Sequence, residues 1–261
     1  MANPNDRVSA ESWPYPRLVA HRCGGKLAPE NTLAGIDACV RYGYCMIEFD
    51  AKLSADDEIY LLHDDTLERT TNGAGAAVDR TWKELAQLDA GAWFGPQFAG
   101  VRLPTLAETA ARCGDEALAA NIEIKPCPGR EAETGHLVAR AALDLWRTQT
   151  QPLLSSFSFE ALAAARDAVP ELPRGMLFED VPEDWLRIVR ELDCVSLHAD
   201  HRHLNARRVA DIHAAGLRVL AYTVNDPLRA NELGEWGVDI ICTDRIDIIR
   251  AGAGAASPAA R

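Results

Sequence analysis

The sequence lacks several features that would assign it to particular classes of protein. It has no run of about 20 apolar residues, the length that a membrane-spanning helix needs, and residues 1–17 lack the apolar stretch of a secretory signal. We therefore expect a soluble, cytoplasmic protein without a membrane span. The seven cysteines form no CxxC pair, and their odd number and wide spacing argue against a disulfide framework and a zinc-thiolate site.

Positive charge is also scarce. The chain carries 27 Lys and Arg against 39 Asp and Glu, which gives a net charge of −12. Such a chain repels nucleic acid at long range, and no basic patch overcomes the repulsion, so we expect no nucleic-acid partner. A phosphate-bearing substrate would need local cations or a bound metal to hold it. Neither GxGxxG nor GxxxxGK[ST] occurs, so nucleotide binding has no support.

The order of apolar segments predicts an α/β protein. The chain has 261 residues, 48% of them hydrophobic, and apolar runs of about five residues alternate with amphipathic stretches of about twelve. This order predicts parallel strands with helical crossovers, hence a barrel or a doubly wound sheet, and the length suits one barrel domain over residues 1–261. The predicted strands are 18–21, 45–50, 59–63, 120–125, 152–156, 174–178, 194–198, 217–224 and 239–243.

Two segments interrupt this alternation. Residues 55–58 are too few for a parallel crossover, so the strands on either side should pair as a hairpin. Residues 64–103 are rich in glycine and polar turn residues around one short helical stretch near 81–88, which predicts a small insertion over the barrel mouth. The low-complexity tail at 251–261 is expected to be flexible.

Charged residues recur where the predicted strands end. Glu48 and Asp50 lie two apart on one strand face, and Glu123 closes another strand. Side chains at the carboxyl ends of parallel strands converge on one rim. A solvated strand face would explain one such pair, but a third carboxylate from a separate strand favours a metal site. Oxygen ligands suit Mg²⁺, Ca²⁺ or Mn²⁺ rather than zinc.

Two histidines and two cations accompany these carboxylates. His21 and His63 each end a predicted strand, and a histidine can exchange protons near neutral pH. Arg22 and Lys125 are suited to binding phosphoryl oxygens beside a metal. The set predicts metal-assisted chemistry on an anion. The segment HADHRH resembles a metal site, but its spacing fits none, so at most His198 is expected to line the pocket.

A series of short motifs then occurs in order from about residue 18 to 248. They are HRCGG, APENT, IEFD, LLHDDTLERTTNG, LDAGAWF, LPTL, NIEIKP, LLSSFS, AYTVN and ICTD. Together they closely resemble the glycerophosphodiester phosphodiesterases, and most of all the bacterial cytoplasmic members. The resemblance implies a TIM (β/α)₈ barrel with a divalent cation, most simply Mg²⁺, with Ca²⁺, Mn²⁺ or Co²⁺ as alternatives. It implies hydrolysis of glycerophosphodiesters such as glycerophosphocholine or glycerophosphoethanolamine to sn-glycerol 3-phosphate and an alcohol.

The resemblance also assigns roles by motif position. It implies that His21 and His63 are the acid/base pair and that Arg22 and Lys125 hold phosphate. The implied metal ligands are Glu48, Asp50 and Glu123. The implied substrate-pocket residues are Asn31, which would brace the first loop, Phe94, Phe157 and Tyr222, to which His198 is added.

One position departs from the family pattern, which usually reads HRG where this chain has Cys23. Either that position does not need positive φ, or the loop shifts slightly. The thiol would also lie near the metal, which raises the hypothesis that the site is sensitive to oxidation or soft metals.

Other readings stay open at this level. A phosphodiesterase for lysophospholipids would need an apolar entrance or an anchor, a barrel-fold sugar isomerase leaves Arg22 and Lys125 unexplained, and a non-catalytic binding protein would show no turnover. The nucleophile is either water or the substrate's glycerol 2-hydroxyl, with the resemblance favouring a cyclic phosphate. Exposed apolar helix faces are compatible with a homodimer.

Overall fold

A computed structural model describes residues 13–250, so the predicted flexible tail at 251–261 lies outside the described residues. The strands alternate with helices along most of this range. The strands are β1 (Leu18–Ala20), β2 (Met46–Leu53), β3 (Ile59–Leu61), β4 (Ala119–Ile124), β5 (Leu153–Ser156), β6 (Arg174–Phe178), β7 (Ser196–Asp200), β8 (Arg218–Tyr222) and β9 (Ile240–Thr243). The helices are α1 (Leu33–Arg41), α2 (Trp82–Leu85), α3 (Leu106–Asp115), α4 (Glu131–Leu145), α5 (Phe159–Ala168), α6 (Trp185–Glu191), α7 (Ala206–Ala214) and α8 (Pro227–Glu235).

Eight of these strands form a closed parallel barrel. The strand order is β1-β9-β8-β7-β6-β5-β4-β2, and β1 also pairs with β2, which closes the sheet. The closure joins the first and last strands, with Leu18 opposite Ile241 and Ala20 opposite Thr243. The predicted TIM (β/α)₈ barrel is therefore confirmed. Among residues 13–250, no helix is both long and apolar enough to cross a membrane.

Burial on both faces of the sheet explains why these strands appear in the sequence as apolar runs. All eight residues of β2 and all six of β4 are buried, because helices cover the outer face of the sheet and side chains fill the inner one. The main hydrophobic core lies between the strands and the helical layer, and includes Ile36, Phe49, Ile122 and Val138. The polar residues on β2 and β4 are therefore exceptions inside an apolar wall.

Helix ends follow the local signals in the sequence. Thr105 and Glu108 form a capping box: Thr105 Oγ1 accepts from the Glu108 backbone N–H at 3.1 Å, and Glu108 Oε2 accepts from the Thr105 N–H at 2.8 Å. Pro227 occupies the first turn of α8. These signals fix where α3 and α8 begin.

The two predicted interruptions are also present. β3 pairs antiparallel with the second half of β2, with Leu53 opposite Ile59, so the short link between them is a hairpin. Residues 64–103, called the insertion below, follow this hairpin and contain α2 and two 3₁₀ turns. The insertion packs its own small core, which includes Leu67, Leu85 and Leu103, against Tyr60 of β3. It therefore stands as an ordered structure beside the first loops of the barrel.

Candidate active site

Three carboxylates meet inside the mouth of the barrel. Glu48 and Asp50 lie on β2 and Glu123 lies on β4, where the parallel register places Asp50 directly opposite Glu123. All three are buried, and one oxygen of each lies within 4.8 Å of the others. The spacing of two residues on β2 puts Glu48 and Asp50 on the same strand face, which explains how they reach one point.

The charges of this cluster are incompletely compensated. Burial and the neighbouring charge of Asp50 raise the pKa of Glu48 to about 8, and burial raises the pKa of Glu123. Glu48 Oε1 is buried and has no hydrogen-bond partner in the part of the chain that the structure describes. A purely oxygen donor set with an orphaned oxygen and crowded negative charge fits a hard divalent cation.

Asn31 holds the cluster from behind. Its Nδ2 donates to Asp50 Oδ2 at 2.8 Å, and its Oδ1 accepts from the Asp50 backbone N–H at 3.1 Å. Burial would raise the pKa of Asp50, but Arg22, His63 and Lys125 together with the Asn31 hydrogen bond outweigh it and lower that pKa. Asn31 therefore braces a carboxylate and does not lie on the cavity wall with the other predicted pocket residues.

His21 lies directly after β1 and beside the cluster. Its Nδ1 is 2.7 Å from Asp244 Oδ1, and its Nε2 is 3.9 Å from Glu48 Oε2. Burial disfavours the charged ring, but the hydrogen bond to Asp244 and the charge of Glu48 outweigh burial and raise the pKa of His21. Asn225 donates to the other oxygen of Asp244 at 2.8 Å, which orients that carboxylate.

His63 has the opposite electrostatic setting. Its Nδ1 is 2.6 Å from Asp64 Oδ1, and 29% of its side chain is exposed. Burial lowers the pKa of His63 despite the nearby charge of Asp50. The two histidines thus face one cavity with different protonation preferences, His21 toward the imidazolium and His63 toward the neutral ring.

The two predicted phosphate-binding cations flank the carboxylates. Arg22 Nε is 3.7 Å from Asp50 Oδ2 and, although buried, has no hydrogen-bond partner among residues 13–250. Lys125 Nζ donates to Glu123 Oε1 at 2.8 Å and lies 3.9 Å from Asp50 Oδ1. Both line the same cavity as the histidines, so an anion entering it meets cationic donors on two sides.

The backbone at the family-pattern departure is left-handed. Cys23 has φ of 73° and the preceding Arg22 has φ of 48°, so the position takes a positive φ with a cysteine in place of glycine. The Cys23 N–H donates to the Glu48 carbonyl at 2.8 Å, which supplies the contact that holds this conformation. The first expectation, that the position does not need positive φ, is wrong.

The Cys23 thiol points away from solvent. Its side chain is fully buried in the main core, where its Cβ packs against Gly35, and burial raises the pKa of the thiol well above its usual range. A thiol that is neither exposed nor ionised reacts slowly with oxidants. The structure therefore argues against the hypothesis of an oxidation-sensitive site at Cys23.

Aromatic residues and a histidine form the inner wall of the cavity. The rings of Phe157 and Tyr222 pack edge to face with centroids 5.9 Å apart, and Lys125 Nζ lies 5.5 Å from the centroid of Phe157. His198 also lines this inner cavity, but it is fully buried with its Nε2 2.9 Å from Ser196 Oγ. Burial lowers the pKa of His198 to about 3, so its ring is neutral.

A second cavity, the outer cavity, adjoins the first. The two cavities share His21 and Arg22, and the outer one opens between the loop after β1 and the insertion. Its other walls include Lys26, Glu30, Trp93, Phe94 and Asp244. Phe94, predicted to line the pocket, therefore lies here and not with Phe157 and Tyr222.

The partners of the two histidines were missed in the sequence. Asp64 directly follows His63 in LLHDD, so adjacency was a usable local signal. Asp244 closes the motif ICTD, but its pairing with His21 depends on barrel closure between β1 and β9. No local pattern links two residues at opposite ends of a chain.

Comparisons with known proteins agree with this geometry. The model of the Glycerophosphoryl diester phosphodiesterase family matches residues 21–248. The chain is 34% identical to the Bacillus subtilis protein YhdW, over 89% of this chain and 96% of that protein. It is 33% identical to a glycerophosphodiester phosphodiesterase of Caldanaerobacter subterraneus, over 90% of this chain and 98% of that one.

A solved structure gives a further likeness. A phosphodiesterase of Oleispira antarctica, determined in complex with the product sn-glycerol-3-phosphate, is 36% identical and superimposes with a TM-score of 0.84. The match covers 90% of this chain and 95% of that one. The likeness therefore extends over nearly the whole barrel and its insertion.

Proposed function

Because this chain belongs to the glycerophosphoryl diester phosphodiesterase family, we propose that it hydrolyses glycerophosphodiesters to sn-glycerol 3-phosphate and an alcohol by acid–base catalysis between two histidines. Glycerophosphocholine and glycerophosphoethanolamine are the proposed substrates. The observation that carries the proposal is that His21 and His63, each hydrogen-bonded to its own carboxylate, line one cavity together with two cations.

The proposed cofactor is a divalent cation, with Mg²⁺ the first choice for an all-oxygen site. Glu48, Asp50 and Glu123 would hold it, supported by the unpartnered Glu48 Oε1 and the crowding of three buried carboxylates. When bound, such an ion offsets negative charge on the phosphoryl oxygens and lowers the pKa of a coordinated hydroxyl. Asn31 keeps Asp50 oriented for this role.

Arg22 and Lys125 are the proposed phosphate-binding residues. Arg22 and Lys125 both line the cavity, so the guanidinium of one and the ammonium of the other can donate to a phosphoryl oxygen. The net charge of −12 repels an anionic substrate, and these two cations supply the local attraction that holds it. As the reaction proceeds, the same donors stabilise the charge that builds on the equatorial oxygens.

His63 is the proposed general base and His21 the proposed general acid. The lowered pKa of His63 favours the neutral ring, whose free Nε2 accepts the proton of the attacking hydroxyl. The raised pKa of His21 favours the imidazolium, which gives a proton to the leaving alkoxide oxygen as the P–O bond breaks. The attacking group is either water or the glycerol 2-hydroxyl, and the latter forms a cyclic phosphate that water then opens.

The two cavities suggest how the diester lies. A phosphodiester has two arms, and the cavities meet at His21 and Arg22, beside the proposed phosphate position. We assign the glycerol arm to the inner cavity, which is lined by Glu48 and Glu123 of the carboxylate cluster, and the alcohol arm to the outer cavity. His21, which borders both, then stands next to the oxygen that leaves.

The deciding experiment measures glycerol 3-phosphate release from glycerophosphocholine and glycerophosphoethanolamine, first with Mg²⁺ and then with EDTA. Release that requires the metal supports the whole proposal. Release that persists in EDTA shows that the reaction does not require the cation. The absence of release with Mg²⁺, Mn²⁺, Co²⁺ or Ca²⁺ contradicts the proposed substrate class.

A further inference from the structure

An arginine of the insertion lies between two carboxylates at the rim of the site. Arg69 donates from Nε and Nη2 to the two oxygens of Asp64, at 2.5 and 2.9 Å. It also donates from Nη1 and Nη2 to the two oxygens of Glu30, both at 2.8 Å. One guanidinium therefore makes a bidentate contact with each of two acidic residues from different loops.

The same two carboxylates continue to the proposed catalytic groups. Asp64 Oδ1, which accepts from Arg69, is also 2.6 Å from His63 Nδ1. Glu30 Oε1, which accepts from Arg69, also accepts from Arg22 Nη1 at 2.9 Å. An unbroken series of hydrogen bonds thus runs from His63 through Asp64, Arg69 and Glu30 to Arg22.

We propose that Arg69 is a positioning residue that fixes the general base and the phosphate-binding arginine relative to each other. This inference rests on the proposed function of His63 and Arg22. Arg69 does not touch the reacting atoms and acts through Asp64 and Glu30. Its removal would leave two like charges facing each other at the rim, each free to turn away from the catalytic group that it orients.

Both ends of this series depend on such support. Arg22 has a left-handed backbone and a buried Nε without a partner, so Glu30 is the hydrogen-bonding anchor of its side chain. The His63 ring is 29% exposed, and Asp64 is its side-chain hydrogen-bond partner among the described residues. The direction of each catalytic group is therefore set by an acid that Arg69 holds.

Arg69 itself rises from a well-ordered turn. Its neighbours Leu67, Thr70 and Thr71 are buried, and Thr71 Oγ1 donates to the Leu67 carbonyl at 2.6 Å. Because the planar guanidinium is preorganised, it loses less rotamer entropy for each of these hydrogen bonds than a flexible donor would. The insertion thereby fixes the spacing of two groups that belong to the barrel.

The test compares steady-state kinetics of four variants with glycerophosphocholine. D64N should lower kcat, because it loosens the base, and E30Q should raise KM, because it loosens the phosphate arm. R69Q should do both, by about tenfold to a hundredfold in kcat/KM. The matched control is R80Q, since Arg80 also lies in the insertion with a similarly exposed side chain, 43% against 44%.

Chemical rescue separates positioning from folding. Free guanidinium should restore part of the activity of R69A and should not change that of R80A, with both variants melting near the wild-type temperature. A variant R69Q that behaves like R80Q overturns the proposal. An R69Q variant in which only kcat or only KM changes also overturns the proposal, because Arg69 would then position only His63 or only Arg22.

A second measurement does not depend on turnover. The Nδ1–H proton of His63, followed by imidazole ¹H–¹⁵N spectra, should change in exchange rate in R69Q but not in R80Q. Should the wild-type protein turn over no glycerophosphodiester, the proposed function fails and these spectra still decide the role of Arg69. An unchanged His63 signal in R69Q overturns that role.

Discussion

His21 Nδ1 lies 2.7 Å from Asp244 Oδ1, although the two residues are 223 positions apart in the chain. The contact exists because β1 pairs with β9 and closes the barrel. Although burial opposes it, the hydrogen bond from His21 lowers the pKa of Asp244 to about 2, so the carboxylate stays ionised over the physiological range. The hydrogen bond to Asp244 and the charge of Glu48 together raise the pKa of His21 against the effect of burial.

Replacing either histidine should abolish turnover without unfolding the protein. His21→Ala and His63→Ala each remove one proposed proton-transfer group, and both histidines lie at the rim and not in the core. Glycerol 3-phosphate release gives the activity, and thermal melting followed by circular dichroism checks the fold. The exposed helical residue in His136→Ala is the control and should keep full activity. A near-normal rate in either rim variant would refute the assignment.

Divalent cations should stabilise the wild-type protein, and they should do so less in Glu123→Gln. An ion at 100 times its dissociation constant adds about 2.7 kcal/mol to the free energy of unfolding, which raises the melting temperature. Because the pKa of Glu48 is raised to about 8, a proton competes with the cation below that pH, so affinity should increase as pH rises toward 8. Equal melting shifts in the two proteins would contradict the proposed ligands.

The rate should depend on pH as a bell. Activity falls at low pH as His63, whose pKa is lowered, takes up a proton and cannot act as a base. It falls at high pH as His21, whose pKa is raised, loses the proton that it must donate. In Asp244→Asn the supporting charge is lost, so the alkaline limb of kcat/KM should move to lower pH while the acid limb stays in place. Movement of the acid limb instead would indicate that His21 is the base and His63 is the acid.

Under native conditions a thiol reagent should modify one cysteine and leave the rate unchanged. Of the seven cysteines, Cys45 is exposed and the other six, including Cys23, are buried. Mass spectrometry of the labelled protein should find the reagent on Cys45, and Cys45→Ser should remove the labelling. Loss of activity that tracks labelling of Cys23 would restore the hypothesis of a sensitive thiol.

Gly175→Ala should destabilise the barrel. A Cβ at Gly175 on β6 would overlap His198 Nε2 and Ser196 Oγ, both on the neighbouring strand and both buried. Overpacking of this kind costs about 1–3 kcal/mol, read as a lower urea midpoint. Gly234→Ala on α8 is the control, since it meets only the flexible end of Arg17 and should be neutral or slightly stabilising. Equal midpoints would show that β7 yields to the added methyl group.

Most of the fold was predictable because burial on both faces makes parallel strands read as short apolar runs. The strand at 174–178 was predicted at its observed bounds, and the hairpin followed from the short link before β3. β7 was predicted two residues too early, at 194–198 instead of Ser196–Asp200. Cys194 and Val195 extend the apolar run without joining the strand, so His198 lies inside β7 and not at its end.

The candidate site was predictable only where one strand supplied the signal. The two-residue spacing on β2 and the positions of Glu123 and Lys125 at the end of a strand motif predicted that these side chains meet. The structure brings the same residues together. The contacts of Arg69 with Glu30 and Asp64 had no such signal. They join the loop after β1 to the insertion, and only the three-dimensional path of both segments creates them.

The contact between β1 and β9 that closes the barrel also determines when, during synthesis, the site can be completed. Because His21 precedes Asp244 by 223 positions, a growing chain contains His21, His63 and the three clustered carboxylates before the His21–Asp244 contact can form. A product truncated before β9 lacks Asp244, so its His21 has no such partner. The proposed acid is thus completed only after β9 has been made, and a circular permutation that places β9 ahead of β1 would reverse that order.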